Sequence, residues 1–291
     1  MRPASDLWLA QRGVTLIEMI VAIVVTGILV VIVSMFVRNQ VQSYSDVAVR
    51  TELADAADSA VRRIARDLQS ALPNSVRTSG NFLEYVPIKD AGRYRAQKGV
   101  ATDDELNLGG SAVTESFEVF GPPVRVEAND QLVLYNLGIQ AVPVATGSDV
   151  YDGSSRRALA SGAGNNWSSL SYTVGAGHFP LASLQNRFQI VGGPVTLECA
   201  PNSVTPESGQ IVRRWCYGYT AGQPTAFGAS AAYPGCANVQ SAVVVSGVSA
   251  CSLNYTAAAL QRNGIASIRI ALSRNGETVT LFHQVAIMNS P

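Results

Sequence analysis

Arg12-Gly13-Val14-Thr15-Leu16-Ile17-Glu18-Met19-Ile20 opens an apolar run that continues to Val37, and the rest of the chain reads as cargo behind it. From Val14 to Val37 the run spans 24 residues, about 36 Å as a helix, enough to cross the hydrocarbon core of a bilayer. Its one charge is Glu18, and a carboxylate at that depth costs several kcal/mol unless it is partnered. A secretory signal peptide would close its apolar core with a small-x-small cleavage site, and none precedes Arg38. A plain anchor fits the length of the run but leaves the placement of Gly13 and Glu18 unexplained.

A cation, a small residue, then a hydroxyl residue, two large aliphatics and a Glu resemble the class III signal of type IV prepilins and secretion pseudopilins. The resemblance implies that prepilin peptidase cuts after Gly13 and methylates the new amine, here on Val14. Many members carry Phe where this chain has Val14. Glu18 would then stand fifth in the mature chain, one helical turn from that amine, where it can neutralise it or a neighbour's. Burying either charge alone is costly, so the pair can set the register of one subunit against the next. The segments this implies are a leader over 1–13, the transmembrane half of a helix over 14–37, its amphipathic half over 38–72, and a β-rich periplasmic or extracellular domain over 73–291. Arg2 and Arg12 flank the run and hold that end in the cytoplasm, which gives a single-pass inner-membrane protein that reaches the cell surface in an assembled filament. Leu7, Trp8 and Leu9 can rest on the headgroup interface.

The chain has 291 residues, 47% hydrophobic, with Lys plus Arg equal to Asp plus Glu at 21 each, so no overall field recruits nucleic acid. Its four cysteines, Cys199, Cys216, Cys236 and Cys251, all fall in the last third and in an exported domain read as two disulfides. Three pairings exist; sequential short loops favour Cys199 with Cys216 and Cys236 with Cys251. A zinc site is disfavoured by the absence of a C-x-x-C spacing and by a content of two His.

Beyond Val37 no Pro or Gly interrupts the pattern before Pro73, so the helix is expected to continue to about Leu72. Val47, Ala54, Val61 and Leu68, with Ala57, Ile64 and Ala71, form an apolar stripe. Asp58 with Arg62 and Arg63 with Asp67 are i,i+4 pairs on the solvated side. A coiled coil would use such a stripe, but this one is short and is followed at once by β-rich sequence. The segments Thr51–Asp58, Arg62–Leu68 and Ala71–Ser75 resemble the minor pilin-like subunits of the mannose-sensitive haemagglutinin pilus and, more loosely, the J-type minor pseudopilins of type II secretion.

From Asn81 the texture changes to short Val-, Leu-, Phe- and Tyr-rich runs between turn residues. Strands are expected at Phe82–Pro87, Phe117–Phe120, Val124–Val126, Gln131–Tyr135, Phe188–Val191 and Val195–Cys199. Gly, Ser, Asn and Ala dominate between Ala145 and Thr173, which predicts a long surface loop with little core of its own. Asn166-Trp167-Ser168 matches a glycosylation sequon, a pattern common by chance. Arg213-Trp215-Cys216-Tyr217-Tyr219 predicts a stapled hairpin. At the C-terminus Ile268, Ile270 and Leu272 alternate with Arg269 and Ala271, Asn275-Gly276 supplies a φ > 0 turn, and Val279, Leu281 and then His283 or Val285 return. The segment around Gly92-Arg93-Tyr94-Arg95, that turn and the ending Phe282-His283-Gln284-Val285 share the same resemblance.

His178 and His283 stand without a recognisable nucleophile motif, and no P-loop or G-x-G-x-x-G occurs, so no enzyme activity and no cofactor are expected. Asp103-Asp104-Glu105 has the carboxylate density a Ca²⁺ site needs, although a solvated acidic turn is the better reading of the residues. Arg93, Arg95 and Lys98 read as a solvated basic face. The expected architecture is therefore α+β, of type IV pilin-like form: a long N-terminal helix packed by its second half on an antiparallel sheet, with a disulfide-stapled C-terminal region. Its partners would be other pilins or pseudopilins, the peptidase and an inner-membrane assembly platform.

Overall fold

The computed structural model describes residues 13–100, 104–109, 112–140, 147–175, 177–228, 230–257 and 263–288. Helix α1 (Leu16–Gln69) contains 54 residues, and the chain divides inside it into two units, after Thr51. Among the described residues of the first unit no side chain is buried, and every one from Leu16 to Arg38 is exposed. That is what an apolar cylinder looks like before lipid or neighbouring helices cover it.

In the second unit α1 acquires a buried stripe of Leu53, Ala57, Ala60, Val61, Ile64, Ala65 and Leu68. The stripe expected from the sequence is one residue out of phase at its start, because Ala54 is exposed and Leu53 takes the inward place. Val47, in the first unit, is exposed as well. Asp58 does bond Arg62 on the solvated side, at 2.6 Å. The helix stops at Gln69 rather than Leu72. Pro73 disfavours helical backbone at Leu72, and the freed groups pair with a strand: Leu72 N–H donates to Val86 O at 2.7 Å and Ile88 N–H to Ser70 O at 3.0 Å.

Among the described residues sixteen strands follow. The first six are β1 (Arg77–Ser79), β2 (Phe82–Tyr85), β3 (Ile88–Tyr94), β4 (Thr114–Phe120), β5 (Val124–Val126) and β6 (Gln131–Val133). Then come β7 (Arg156–Ala158), β8 (Gly164–Trp167), β9 (Ser169–Thr173), β10 (Arg187–Val191) and β11 (Val195–Ala200). The last are β12 (Gln210–Trp215), β13 (Gln240–Ser246), β14 (Val248–Thr256), β15 (Gly264–Arg274) and β16 (Glu277–Ile287). They form sheets in the orders β1-β2-β11-β12-β13, β7-β6-β10-β3-β4-β9 and β14-β15-β16, with a β5–β8 pair, and every pairing is antiparallel. The six-stranded sheet buries Phe117, Leu132, Leu170, Tyr172, Phe188 and Ile190 as one core. The second-unit part of α1 is tied to the other two sheets: Tyr85 Oη donates to Asp67 Oδ2 at 3.0 Å, and Arg274 pairs with Glu52.

Two expectations are corrected here. The segment between Ala145 and Thr173 is not a coreless loop: over its described part it supplies three strands and fully buries Val150, Leu170 and Tyr172. Its strands are short and bury two side chains at most, β8 none, so apolar periodicity had too few residues to register. Buried polar groups hold it down, since Asn136 Oδ1 accepts from Val150 N–H at 2.8 Å and Asn136 Nδ2 donates to Pro73 O at 2.7 Å.

The disulfides join Cys199 to Cys251 and Cys216 to Cys236, not Cys199 to Cys216 and Cys236 to Cys251. The register explains why. Cys199 lies opposite Ile211 and Thr196 opposite Arg214, which leaves Cys216 about 17 Å further along the ladder from Cys199 at ~3.3 Å per residue. A disulfide needs Cα atoms about 6 Å apart. Cys251 lies beyond Gly247 on β14, in the next sheet, and there it staples β14 to β11. Cys216 and Cys236 instead close the long connection of the β12–β13 hairpin.

Candidate functional site

The apolar run begins with a helix start that is chemically complete. Thr15 precedes the first residue of α1, and its Oγ1 accepts from Glu18 N–H at 3.3 Å. The Glu18 carboxylate returns the contact through Oε2, which accepts from Thr15 N–H at 3.4 Å and Thr15 Oγ1–H at 3.5 Å. This reciprocal Thr-x-x-Glu arrangement is a capping box, in which two backbone donors with no partner inside the helix are satisfied by side chains. It is visible in the sequence as Thr15-Leu16-Ile17-Glu18, a signal that the charge argument alone passes over.

Gly13 and Val14 lie outside the helix and are exposed. A side-chain carbon placed on Gly13 would meet nothing within 4 Å, and its φ is not in the positive range. The fold of this chain therefore places no demand for glycine at 13. Glu18 holds its carboxylate on the first helical turn, beside the Thr15 backbone N–H. The expectations on Met1–Arg12, the cations Arg2 and Arg12 included, fall outside the described residues.

The remaining candidates are not assembled into a site. Asp103 lies outside the described residues, while Asp104 Oδ2 accepts from Ser116 Oγ at 2.9 Å and Glu105 Oε2 from Lys98 N–H at 2.7 Å. Among the described residues no group of three His, Cys, Asp or Glu side chains is placed to hold a metal ion. The basic trio is divided, because Arg95 Nε bonds Glu118 at 2.6 Å. His178, in the loop between β9 and β10, has Nδ1 3.1 Å from Asn107 O, and His283 stands exposed on β16, far away in sequence.

The strongest electrostatic cluster is structural. Glu84 on β2 is fully buried, pairs with Arg77 Nε at 2.7 Å and accepts from Tyr217 Oη at 3.0 Å. Burial pushes its carboxyl above the usual carboxylate range, and the Arg77 charge opposes that rise. Arg77 lies over the Tyr151 ring at 3.5 Å and donates to Ala221 O at 2.6 Å. It thereby clamps the Cys216–Cys236 loop onto β1.

Residues 8–34 match the family model described as the prokaryotic N-terminal methylation motif, the prepilin signal of type IV pilin-like proteins. The matched residues cover Gly13, Val14 and Glu18. No curated protein and no solved structure matches the chain. The motif, the long apolar helix, the antiparallel sheets and the two disulfides fit a pilin-like α+β fold and a structural subunit anchored by its N-terminal helix.

Proposed function

We propose that the chain is a minor pilin that takes part in initiating or capping a type IV pilus of the mannose-sensitive haemagglutinin kind, in the manner of MshO. The observation that carries this is the N-terminal junction. An exposed Gly13–Val14 bond that the fold does not need lies one turn before a carboxylate, at the head of an entirely uncovered apolar helix. Prepilin peptidase would cut after Gly13 and methylate Val14. The apolar helix would wait in the inner membrane, with residues 73–291 on the periplasmic side, until the assembly platform extracts it against other subunits' helices. Glu18 would set the register of that addition. A soluble unit this large favours a minor over an abundant subunit, and the residue resemblance of Thr51–Ser75 and of the C-terminal hairpin favours the pilus over the secretion filament, for which a J-type minor pseudopilin is the alternative.

The test is the mass of the N-terminal peptide of the protein taken from its native membrane. A peptide beginning at Val14 with one added methyl is expected. One beginning at Met1 or Arg2 would overturn the reading in favour of a membrane-anchored binding protein.

A further inference from the structure

Edge strands offer unpaired N–H and C=O groups, and soluble proteins guard them with Lys, Pro, bulges or short length. Strand β16 ends the β14-β15-β16 sheet and carries none of these guards. It runs for 11 residues, Glu-Thr-Val-Thr-Leu-Phe-His-Gln-Val-Ala-Ile, with Glu277 at the turn as its sole carboxylate. Its register with β15 is continuous over all of them, without a bulge. The two-residue turn at Asn275-Gly276, with φ of 53° and 81°, makes Arg274 and Glu277 a hydrogen-bonded pair. The odd-numbered residues of β16 therefore bond β15. Thr278, Thr280, Phe282, Gln284 and Ala286 turn their backbone groups outward, and among the described residues no strand meets them.

Beside this edge lies a groove of about 540 Å³ between α1 and β16. Its apolar lining is Val61, Ala65, Leu281 and Phe282, and Phe282 is 60% exposed. Its polar lining is Asp58, Arg62, Arg66 and His283. Asp58 is already paired with Arg62 at 2.6 Å, while Arg66 Nε reaches only Arg62 O, at 3.4 Å, with no carboxylate partner among the described residues. The groove therefore carries one arginine without a carboxylate beside it and an exposed Phe282 ring, alongside a row of outward-facing backbone groups.

We propose that the β16 edge and this groove take an extended segment of another polypeptide. That segment adds a fourth strand to the sheet, sets an Asp or Glu against Arg66 and lays a large apolar side chain on Phe282. Backbone bonds would supply affinity and the groove specificity, as in other strand additions. A second copy of this chain fits less well, because two β16 strands brought together would face Arg62 and Arg66 with their own likenesses and offer no carboxylate but Glu277 at the end of the strand. The proposal does not depend on processing at Gly13.

The test uses the full chain in detergent micelles with two labelled peptides, acetyl-TVTLEVT-amide and its lysine counterpart TVTLKVT, followed by anisotropy and by amide hydrogen exchange. The acidic peptide is expected to slow exchange at residues 280, 282 and 284 and not at 279 or 281. It should bind about tenfold more tightly than the lysine peptide, the scale of a like-charge contact avoided. Arg66→Glu should invert that preference. Thr280→Pro removes one outward N–H, leaves every bond to β15 in place and should abolish binding with an unchanged circular dichroism spectrum. Undiminished binding by Thr280→Pro, equal affinity for the two peptides, or protection of the odd amides would overturn the proposal. So would protection of the even amides that grows with protein concentration in the absence of peptide, which would assign the edge to a second copy.

Discussion

At the scale of single residues, the capping contact of Glu18 and the register role proposed for it can be separated by one substitution. As the last residue of a capping box Glu18 needs only an acceptor side chain, which Gln also supplies; as a counter-charge for an amine it needs ionisation. Thr15→Ala removes the cap and is expected to cost about 1 kcal/mol of helix stability at the N-terminus, read as faster exchange of the amides at 15 and 18 in micelles. Glu18→Gln should keep those amides protected and yet reduce incorporation into filaments as far as Glu18→Ala does. Incorporation by Glu18→Gln at the level of the unsubstituted protein would leave capping as the whole role. Glu84 gives a second residue-scale expectation. Its folded-state carboxyl binds a proton more tightly than the unfolded one, so its contribution is present at low pH and is lost as pH rises from about 4.5 through the raised value. Glu84→Gln should therefore lessen the fall in unfolding free energy over that window in urea titrations. Asp149, also raised by burial, keeps part of the slope.

At the scale of elements, the two staples differ in what they close. Cys199–Cys251 spans 52 residues and Cys216–Cys236 spans 20, so the loop-entropy account gives about 4 kcal/mol for the first and about 3 kcal/mol for the second. The pair Cys199→Ser with Cys251→Ser should lower the denaturant midpoint more than Cys216→Ser with Cys236→Ser, and a reversed order would count against the loop-entropy account. The hairpin of β15 and β16 was legible because Ile268, Ile270 and Leu272 alternate up to an Asn-Gly turn, a purely local signal. Val124–Val126 was legible for the same reason, with apolar residues on each side of one Arg. The pairing of cysteines was not, since it depends on which strands neighbour one another, and that is decided by contacts tens of residues apart. Strands β7 to β9 were hidden for a related reason: their anchors are single side chains such as Leu170 and Tyr172 and polar ties such as Asn136, none of which repeats along the chain. The junction was half legible, Glu18 by its charge in an apolar run, the Thr15 cap only once the helix start was fixed.

At the scale of the whole molecule, burial changes character along one helix. No described residue before Leu53 is buried, whereas from Leu53 on α1 contributes to the core at nearly every turn. Since hydrophobic stabilisation scales with apolar area removed from water, residues up to Thr51 contribute almost nothing to the stability of the second unit as a free chain. Their apolar surface is instead a free energy that only a membrane or neighbouring helices can recover. A chain beginning at Glu52 is therefore expected to stay monodisperse without detergent, to form both disulfides, and to unfold at the same urea midpoint as the second unit of the full chain in micelles. The Glu52 carboxylate is retained in that chain to pair with Arg274. A chain beginning at Ala65 removes Leu53, Ala57, Ala60, Val61 and Ile64 and should not fold, because each such loss costs on the order of 1 to 4 kcal/mol against a total of about 5 to 15. If the chain from Glu52 precipitated or lost its midpoint, the first unit would be doing structural work in the second, and the division of labour between an anchor and a folded head would have to be given up.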